Sequence, residues 1–339
     1  MRHLTRRRFV GALAVLLLLL AGSTLLGLAV GPSGLGLDRV AGALFGDSEG
    51  PAADIVWRIR VPRLVLAMLV GASLSVAGVI FQALLRNPLA DPFVLGVSGG
   101  AALGGIAVLS LGAPLSLGYA AVPFASFAGS LLVTLFLYTA AGVSGRVSAT
   151  SLLLTGVVFN SFASAAIVFL ASAAGLVEGS RIFLFLIGNL SVGRIDVAGW
   201  VALFLGIGVV CALLLARSLN LLALGDEPAE QLGIAVDWHK RILLLATSLM
   251  VGAAVSVSGL IGFVGLIIPH LLRLVLGPDH RLLVPASALA GAAFLMLCDT
   301  AARTVLGGRE LPVGAITALV GGPLFLVLLR RYQQRAFAP

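Results

Sequence analysis

The chain has 339 residues, of which 60% are hydrophobic and only 11% charged, with a mean hydropathy of +1.13. That balance leaves too little polar surface to clothe a water-soluble domain, so the composition is that of an integral membrane protein. The formal net charge of +8 would suggest nucleic acid in a soluble protein; here it belongs to loops that face an anionic leaflet, and no nucleic-acid partner is expected.

About ten apolar stretches are long enough to cross a hydrocarbon core as helices, each needing roughly 20 residues. They fall near 9–30, 61–85, 94–111, 119–142, 150–173, 197–216, 242–260, 262–277, 282–302 and 311–330. The runs are continuously apolar and do not alternate every second residue, which favours helices over a barrel. The expected fold is all-α: a polytopic membrane protein forming a single transmembrane domain over 1–339, with its longest cytoplasmic loop near 217–241. Cys211 and Cys298 both lie inside apolar spans and read as small hydrophobes, neither a disulfide nor a metal pair.

Arg2, Arg6, Arg7 and Arg8 precede the first span, and Arg330, Arg331 and Arg335 follow the last. The positive-inside rule therefore puts both termini in the cytoplasm, which requires an even number of crossings. The first run also has the length of a signal peptide, but its A-x-A-like end is poorly formed, and an uncleaved helix is preferred. Residues 31–57 then fall outside; they are rich in Gly and Pro and carry Asp38, Asp47, Glu49 and Asp54. Arg58, Arg60 and Arg63 cluster at the outer end of the second span, against the rule. Such arginines either snorkel to headgroups or offer a dock to acidic groups on an external partner.

The second span holds Gly71, Ala72, Ser73, Ser75, Ala77 and Gly78, small residues that let neighbouring helices approach closely. Pro88 and Pro92 at its exit stop one helix and restart another. Residues 96–100, GVSGG, match a nucleophile pattern with Ser98 at its centre. The alternative is a Gly-rich helix start, and of His3, His239, His270 and His280 only His270 falls inside a span to serve as a base. An intramembrane serine protease is accordingly the minor reading.

On span five, Asn160 and Ser164 sit one turn apart, where they line a polar cavity or bond to a neighbouring helix. The apolar segment 182–188, introduced by Arg181, is too brief to cross and reads as a helix at the outer mouth. Arg181 there meets an anionic substrate or a headgroup. In the 217–241 loop, residues 225–233 read as a short helix with Asp226 as N-cap, Glu227 and Pro228 in the first turn and Gly233 as C-cap. Its acidic face is a handle for a cytoplasmic partner, or an ordinary structured loop. Pro269 is expected to kink or shorten span eight, and His270, without ligand partners nearby in sequence, reads as structural and not as a metal ligand.

Residues 70–80, VGASLSVAGVI, recur as VGAAVSVSGLI at 251–261, placed at the starts of spans two and seven. Five spans apart, the copies run in opposite directions, the inverted-repeat logic of transporters. The spans carry no acidic residue deep in their interior, which argues against an ion-coupled secondary transporter.

RVPR, QALLRNPLADP, LGVSGGA, LGDEPAEQLG, GLIGFVGLIIPHLLR and ELPVGAITALVGGPLF, in that order from about Arg58 to Leu329, resemble the signature segments of permease subunits of type II ABC importers for ferric siderophores, haem and vitamin B12. GVSGG departs from the commoner GVSNG or GVSSG. The resemblance implies ten helices, a homodimer with its pathway on the two-fold axis, two cytoplasmic ATPase subunits and one external substrate-binding protein. It further implies that Arg60, Arg63 and Arg303 dock the binding protein, and that Asp226, Glu227, Glu230, Gln231, Leu232 and Gly233 couple to the ATPase. Ser148, Thr150 and Ser151 would form the cytoplasmic gate, and Asn160, Ser164 and Arg181 would lie along the pathway. The chain itself would bind no cofactor or metal and perform no covalent chemistry, ATP and Mg being held by the ATPase. The setting would be a bacterial inner membrane, and the cargo a ferric siderophore or haem, with vitamin B12 as the alternative.

Overall fold

The computed structural model describes residues 5–46, 50–111, 121–143, 146–174, 176–190, 195–307 and 310–336. Arg2, Asp47, Glu49, the first two residues of the fourth predicted span and the side chains of Arg331 and Arg335 lie outside them. The regular structure of the described residues is helical apart from one short antiparallel pairing of 142–143 with 146–147.

In chain order the helices are α1 (Arg6–Ala29), α2 (Leu37–Phe45), α3 (Pro51–Asp54), α4 (Val61–Leu84), α5 (Val97–Leu111), α6 (Ala121–Ala141), α7 (Ala149–Ala173), α8 (Leu176–Ile187), α9 (Ile195–Leu214), α10 (Ala216–Leu222), α11 (Asp226–Gln231), α12 (Val236–Ser258), α13 (Val264–Leu276), α14 (His280–Thr304) and α15 (Val313–Ala336). Every predicted span is matched by one of them. Among the described residues, seven helices are long and apolar enough to cross a membrane, and α5, α13 and the start of α15 are shorter apolar helices.

Residues 31–57, read only as a Gly- and Pro-rich segment between spans, contain two short helices, and a π-helical stretch, Ile55–Arg60, joins α3 to α4 so that Pro51–Leu84 runs without a break. Pro51 sits in the first turn of α3, where the missing amide costs nothing, whereas Pro62 lies inside the continuous run just after the π-helical stretch and leaves one backbone carbonyl there without its helical donor. The expected loop after the sixth span likewise begins with a helix, α10, after a break at Leu215. The mouth helix expected at 182–188 is longer, α8. α13 is short, but not because of Pro269, which lies within it: the helix begins after Phe263 in left-handed geometry. α12 stops at Gly259, where φ is +66° and any Cβ would collide with the carbonyl of Phe185.

The repeat copies do not start their helices. Residues 70–80 occupy the middle of α4, whereas 251–258 form the last turns of α12, with 259–261 beyond them. Their small residues explain the recurrence, because both helices are crossed closely. Gly71 and Gly291 face each other across α4 and α14, so that a Cβ on either would strike the other's carbonyl; a Cβ on Gly78 would strike the carbonyl of Gly265 of α13, and one on Gly265 the carbonyl of Leu74. Without a hydrophobic drive between helices in lipid, this close packing and interhelical hydrogen bonds hold the bundle. Thr134 of α6 bonds to Ser248 of α12, and Gln82 of α4 donates to the carbonyls of Gly265 and Leu266, at 3.3 and 3.1 Å. α4 is the central helix, 83% of its apolar window being buried, while α1 is peripheral at 6%.

Side-chain contacts sort the bundle into two ends. At one, Arg8 donates to the carbonyl of Leu276 at 2.9 Å, satisfying the end of α13, Asn220 bonds to Asp279 at the start of α14, and Asp226 pairs with Lys240. At the other, the start of α4 meets the end of α14 and the end of α1, through Arg63, Asp299, Arg303 and Gly27.

Candidate functional site

The end where α4 begins holds a buried charge cluster. Arg63 donates from Nε to Asp299 Oδ1 at 2.7 Å and from Nη1 to Glu310 Oε2 at 2.8 Å. Arg303, one turn beyond Asp299, brings Nε to 3.1 Å from Oδ2, an ion contact without the alignment of a hydrogen bond, and its Nη2 reaches the carbonyl of Gly27 at 3.4 Å. Arg60 turns towards the end of α1, bonding to the carbonyl of Leu28 and, at 2.8 Å, to Ser33 Oγ. Arg60, Arg63 and Arg303 are only 2%, 5% and 3% exposed. The three guanidinium groups lie together at the end where α4 begins and face inwards, tying α1, α4 and α14 together. Glu310, with its side chain 43% exposed, is the edge of the cluster open to the outside.

Asp299 was missed by the sequence reading, which counted the spans as free of buried acid. It is fully buried inside α14. Its signal was available: an Asp in an apolar run with an Arg four residues on is a helical ion pair, and a charge in such a run needs a partner.

At the opposite end, α11 projects Glu227, Pro228, Glu230, Gln231, Leu232 and Gly233 into the open, with Ala229 fully buried beneath them. Asp226 is not the N-cap. Gly225, at φ +133°, takes that place, and Asp226 begins the helix, its carboxylate meeting Lys240 Nζ at 2.7 Å. A left-handed residue there suits only glycine, and the freed carboxylate anchors α11 to α12. Gly233, at φ +83°, has the left-handed geometry expected of it. Leu224, Leu232 and Trp238 are 64%, 59% and 61% exposed, adding an apolar fringe to the acidic face.

α7 runs between these ends with its residues dispersed. Ser148 caps it, accepting from Ser151 N at 3.0 Å and donating to Ser151 Oγ at 2.8 Å, and Thr150 is exposed beside them. Asn160 donates to the carbonyls of Phe93 and Val94 at 2.7 and 3.1 Å, holding the turn that leads into α5, while Ser164 stays exposed. The exposed flank of α7 is apolar and, with Phe136 of α6, forms a groove of about 660 Å³ lined also by Thr155, Val158 and Phe162. Arg181 of α8 borders a separate cavity of about 230 Å³ with Phe185, Asn189 and Gly259.

The GVSGG segment is packing. A Cβ at Gly99 would approach Asn160 Oδ1, and one at Gly100 would collide with Val133, so α5 meets α7 and α6 through these glycines, and Ser98 is 3% exposed. The turn before it is fixed by Asn87 Oδ1, accepting from Leu89 N at 3.0 Å, and Asp91 Oδ1, accepting from Phe93 N at 2.8 Å. Burial pushes the Asp91 carboxyl up to about 6, against the lowering effect of that amide. Among the described residues no three His, Cys, Asp or Glu side chains converge to hold a metal.

Residues 16–331 match the FecCD transport family. Over 340 residues the chain is 39% identical to the hemin transport system permease protein HmuU of Yersinia pestis, covering 97% of this chain and 98% of that one. It is 44% identical over 285 residues to the cobalamin import system permease protein BtuC of Halobacterium salinarum, covering 84% and 76%. The ABC transporter permease protein YvrB of Bacillus subtilis is 43% identical over 300 residues, covering 86% and 83%. In architecture the chain is similar to a metal-chelate type ABC transporter solved in an inward-facing conformation, with a TM-score of 0.84, 28% identity, and 94% and 98% of the two chains covered.

Proposed function

We propose a function from one premise: this chain belongs to the FecCD transport family. It is a multi-pass permease of the type II ABC importer class, and its own role is passage, not catalysis. The cargo we assign is a metal chelate, a ferric siderophore or haem, delivered by an external binding protein and released to the cytoplasm by alternating access. The family match over nearly the whole chain carries this reading. Cobalamin is the second cargo, since relatives named for haemin and for cobalamin import are similar to this chain at 39% and 44% identity.

The complex would be a homodimer with two ATPase subunits holding ATP and Mg, in a bacterial inner membrane, and this chain would bind no cofactor of its own. The end carrying Arg8, α11 and Lys240 would be cytoplasmic with both termini, in keeping with its basic residues. There the exposed α11 surface would seat in the ATPase. ATP binding would draw the two ATPases together, shift α11 and rock the helices about the pathway. The opposite end would receive the binding protein. Arg60, Arg63 and Arg303 are engaged internally, so an acidic group of that partner would reach Arg63 by exchange with Glu310. Ser148, Thr150, Ser151, Asn160, Ser164 and Arg181 are proposed along the path, whose Ala, Gly, Ser and Phe lining suits a large chelate held weakly.

Reversing the α11 charges tests the assignment. Glu227→Lys with Glu230→Lys is expected to abolish co-purification of the cognate ATPase subunit and ATP-driven uptake. A doubly reversed complex that assembles and transports normally would contradict it.

A further inference from the structure

α11 has only six residues and cannot by itself carry a displacement across the membrane. What it is fastened to decides where movement goes. One fastening is Lys240, buried at 3% exposure, which joins Asp226 to α12. The other is less conspicuous. The preceding helix α10 is buried along Ala216, Leu219 and Leu222, and near its end Asn220 grips the start of α14 with both atoms of its amide. Nδ2 donates to Asp279 Oδ1 at 3.1 Å, and Oδ1 accepts from the backbone N–H of His280 at 3.0 Å and from His280 Nδ1 at 2.6 Å. The backbone donor fixes which way the amide points, and the imidazole then carries its proton on Nδ1.

Asp279 Oδ1 also accepts from Arg281 N at 3.0 Å as the N-cap of α14. Asn220 and Asp279 together therefore satisfy two of the backbone donors that a helix start leaves open, and they join two segments 59 residues apart in sequence. α14 is continuous for 25 residues, about 37 Å at the usual helical rise. Its glycine crossing with α4 leaves no slack at Gly71 and Gly291. Its far end carries Asp299 and Arg303, the centre of the outer charge cluster.

We propose that Asn220 is a positioning residue for transport, the bracket through which displacement of α11 reaches α14 and, along it, the outer charge cluster. The inference rests on the importer reading above, with α11 as the ATPase contact. In this role Asn220 acts through α14 and need touch neither cargo nor ATPase. It acts by making α10, α11 and α14 move as one piece, which a hydrogen-bonded bracket does and a sliding apolar contact does not.

The test uses the complete complex of permease, cognate ATPase and binding protein in proteoliposomes. Haemin, cyanocobalamin and a ferric siderophore are offered in turn, and uptake and ATP hydrolysis are measured together. Asn220→Ala is expected to leave hydrolysis within twofold of the parent while uptake per ATP falls at least tenfold. Asp279→Ala breaks the same bracket from α14 and should uncouple alike. Asp279→Asn keeps an oxygen that accepts from both Asn220 and Arg281, and should keep coupling within twofold. Uptake and hydrolysis that fall in proportion in both alanine variants, or an unchanged ratio in either, would overturn the bracket. A parent complex that takes up none of the probes with ATP would overturn the importer reading and the bracket together.

Discussion

Asp299 is the residue on which the end where α4 begins depends most. Its fully buried carboxylate stands between Arg63 and Arg303. Truncating one partner of a buried ion pair leaves the others uncompensated, typically at about 3–5 kcal/mol. Asp299→Ala should therefore lower the thermal unfolding midpoint in detergent sharply, and Arg58→Ala, whose 3.0 Å pair with Asp54 is 81% and 61% exposed, should leave it nearly unchanged. Equal shifts in the two would contradict a structural role for the cluster. The arginines themselves were legible in the sequence as a cluster at one edge, but their inward direction was not. The direction of Arg63 depends on carboxylates 236 and 247 residues away and that of Arg60 on the Leu28 carbonyl and Ser33, 32 and 27 residues away, which local reading does not pair with them.

Asp91 gives a pH prediction of the same scale. Its folded-state value of about 6 lies above its usual 3.8, so the folded chain holds the proton more tightly than the unfolded chain does. The stability this contributes is present at low pH and is lost as pH rises from about 4 to about 6, by about 3 kcal/mol in all. Asp91→Asn keeps an oxygen for the Phe93 amide and has no such charge. The variant should gain on the parent through that window and hold its advantage above it. A stability difference that does not change with pH would sink the idea.

Helices are where the sequence was most readable and packing least. Continuous apolar runs long enough to cross located each of the main helices, because length and hydropathy act locally. α2, α10 and the π-helical lead into α4 were not legible, since at nine, seven and six residues they are too short to register as spans. The Gly-rich stretch of α4 was read as a close-packing face, and Gly71 and Gly78 each meet a backbone. Gly78→Val should therefore cost about 1–3 kcal/mol or more by overpacking, reducing the folded yield. Gly22→Val on α1, where nothing lies within 4 Å, is the matched control and should be tolerated. If both variants accumulate alike, the crossing of α4 with α13 is not tight.

For the whole molecule, the two ends differ in kind. One is a buried ion cluster closing α1, α4 and α14, and the other is an exposed acidic helix fastened to α12 and preceded by α10, which is bonded to the start of α14. The exposed face of α11 was legible because alternating caps and charges mark a short helix, though Asp226 was given the capping role that Gly225 holds. Ser148 at the start of span five, Asn160 within it and Arg181 beyond it are spread over α7 and α8 as read, but the turn that Asn160 holds was not legible, because its acceptors, the carbonyls of Phe93 and Val94, are 67 and 66 residues away.

The most direct test of the account is uptake by proteoliposomes containing this chain, its cognate ATPase and binding protein, loaded with a retained chelate, with ATP and ion gradients varied separately. The account predicts accumulation only with hydrolysable ATP and all three components, unaffected by collapse of the proton and sodium gradients. Accumulation by this chain alone, driven by an ion gradient, would contradict it.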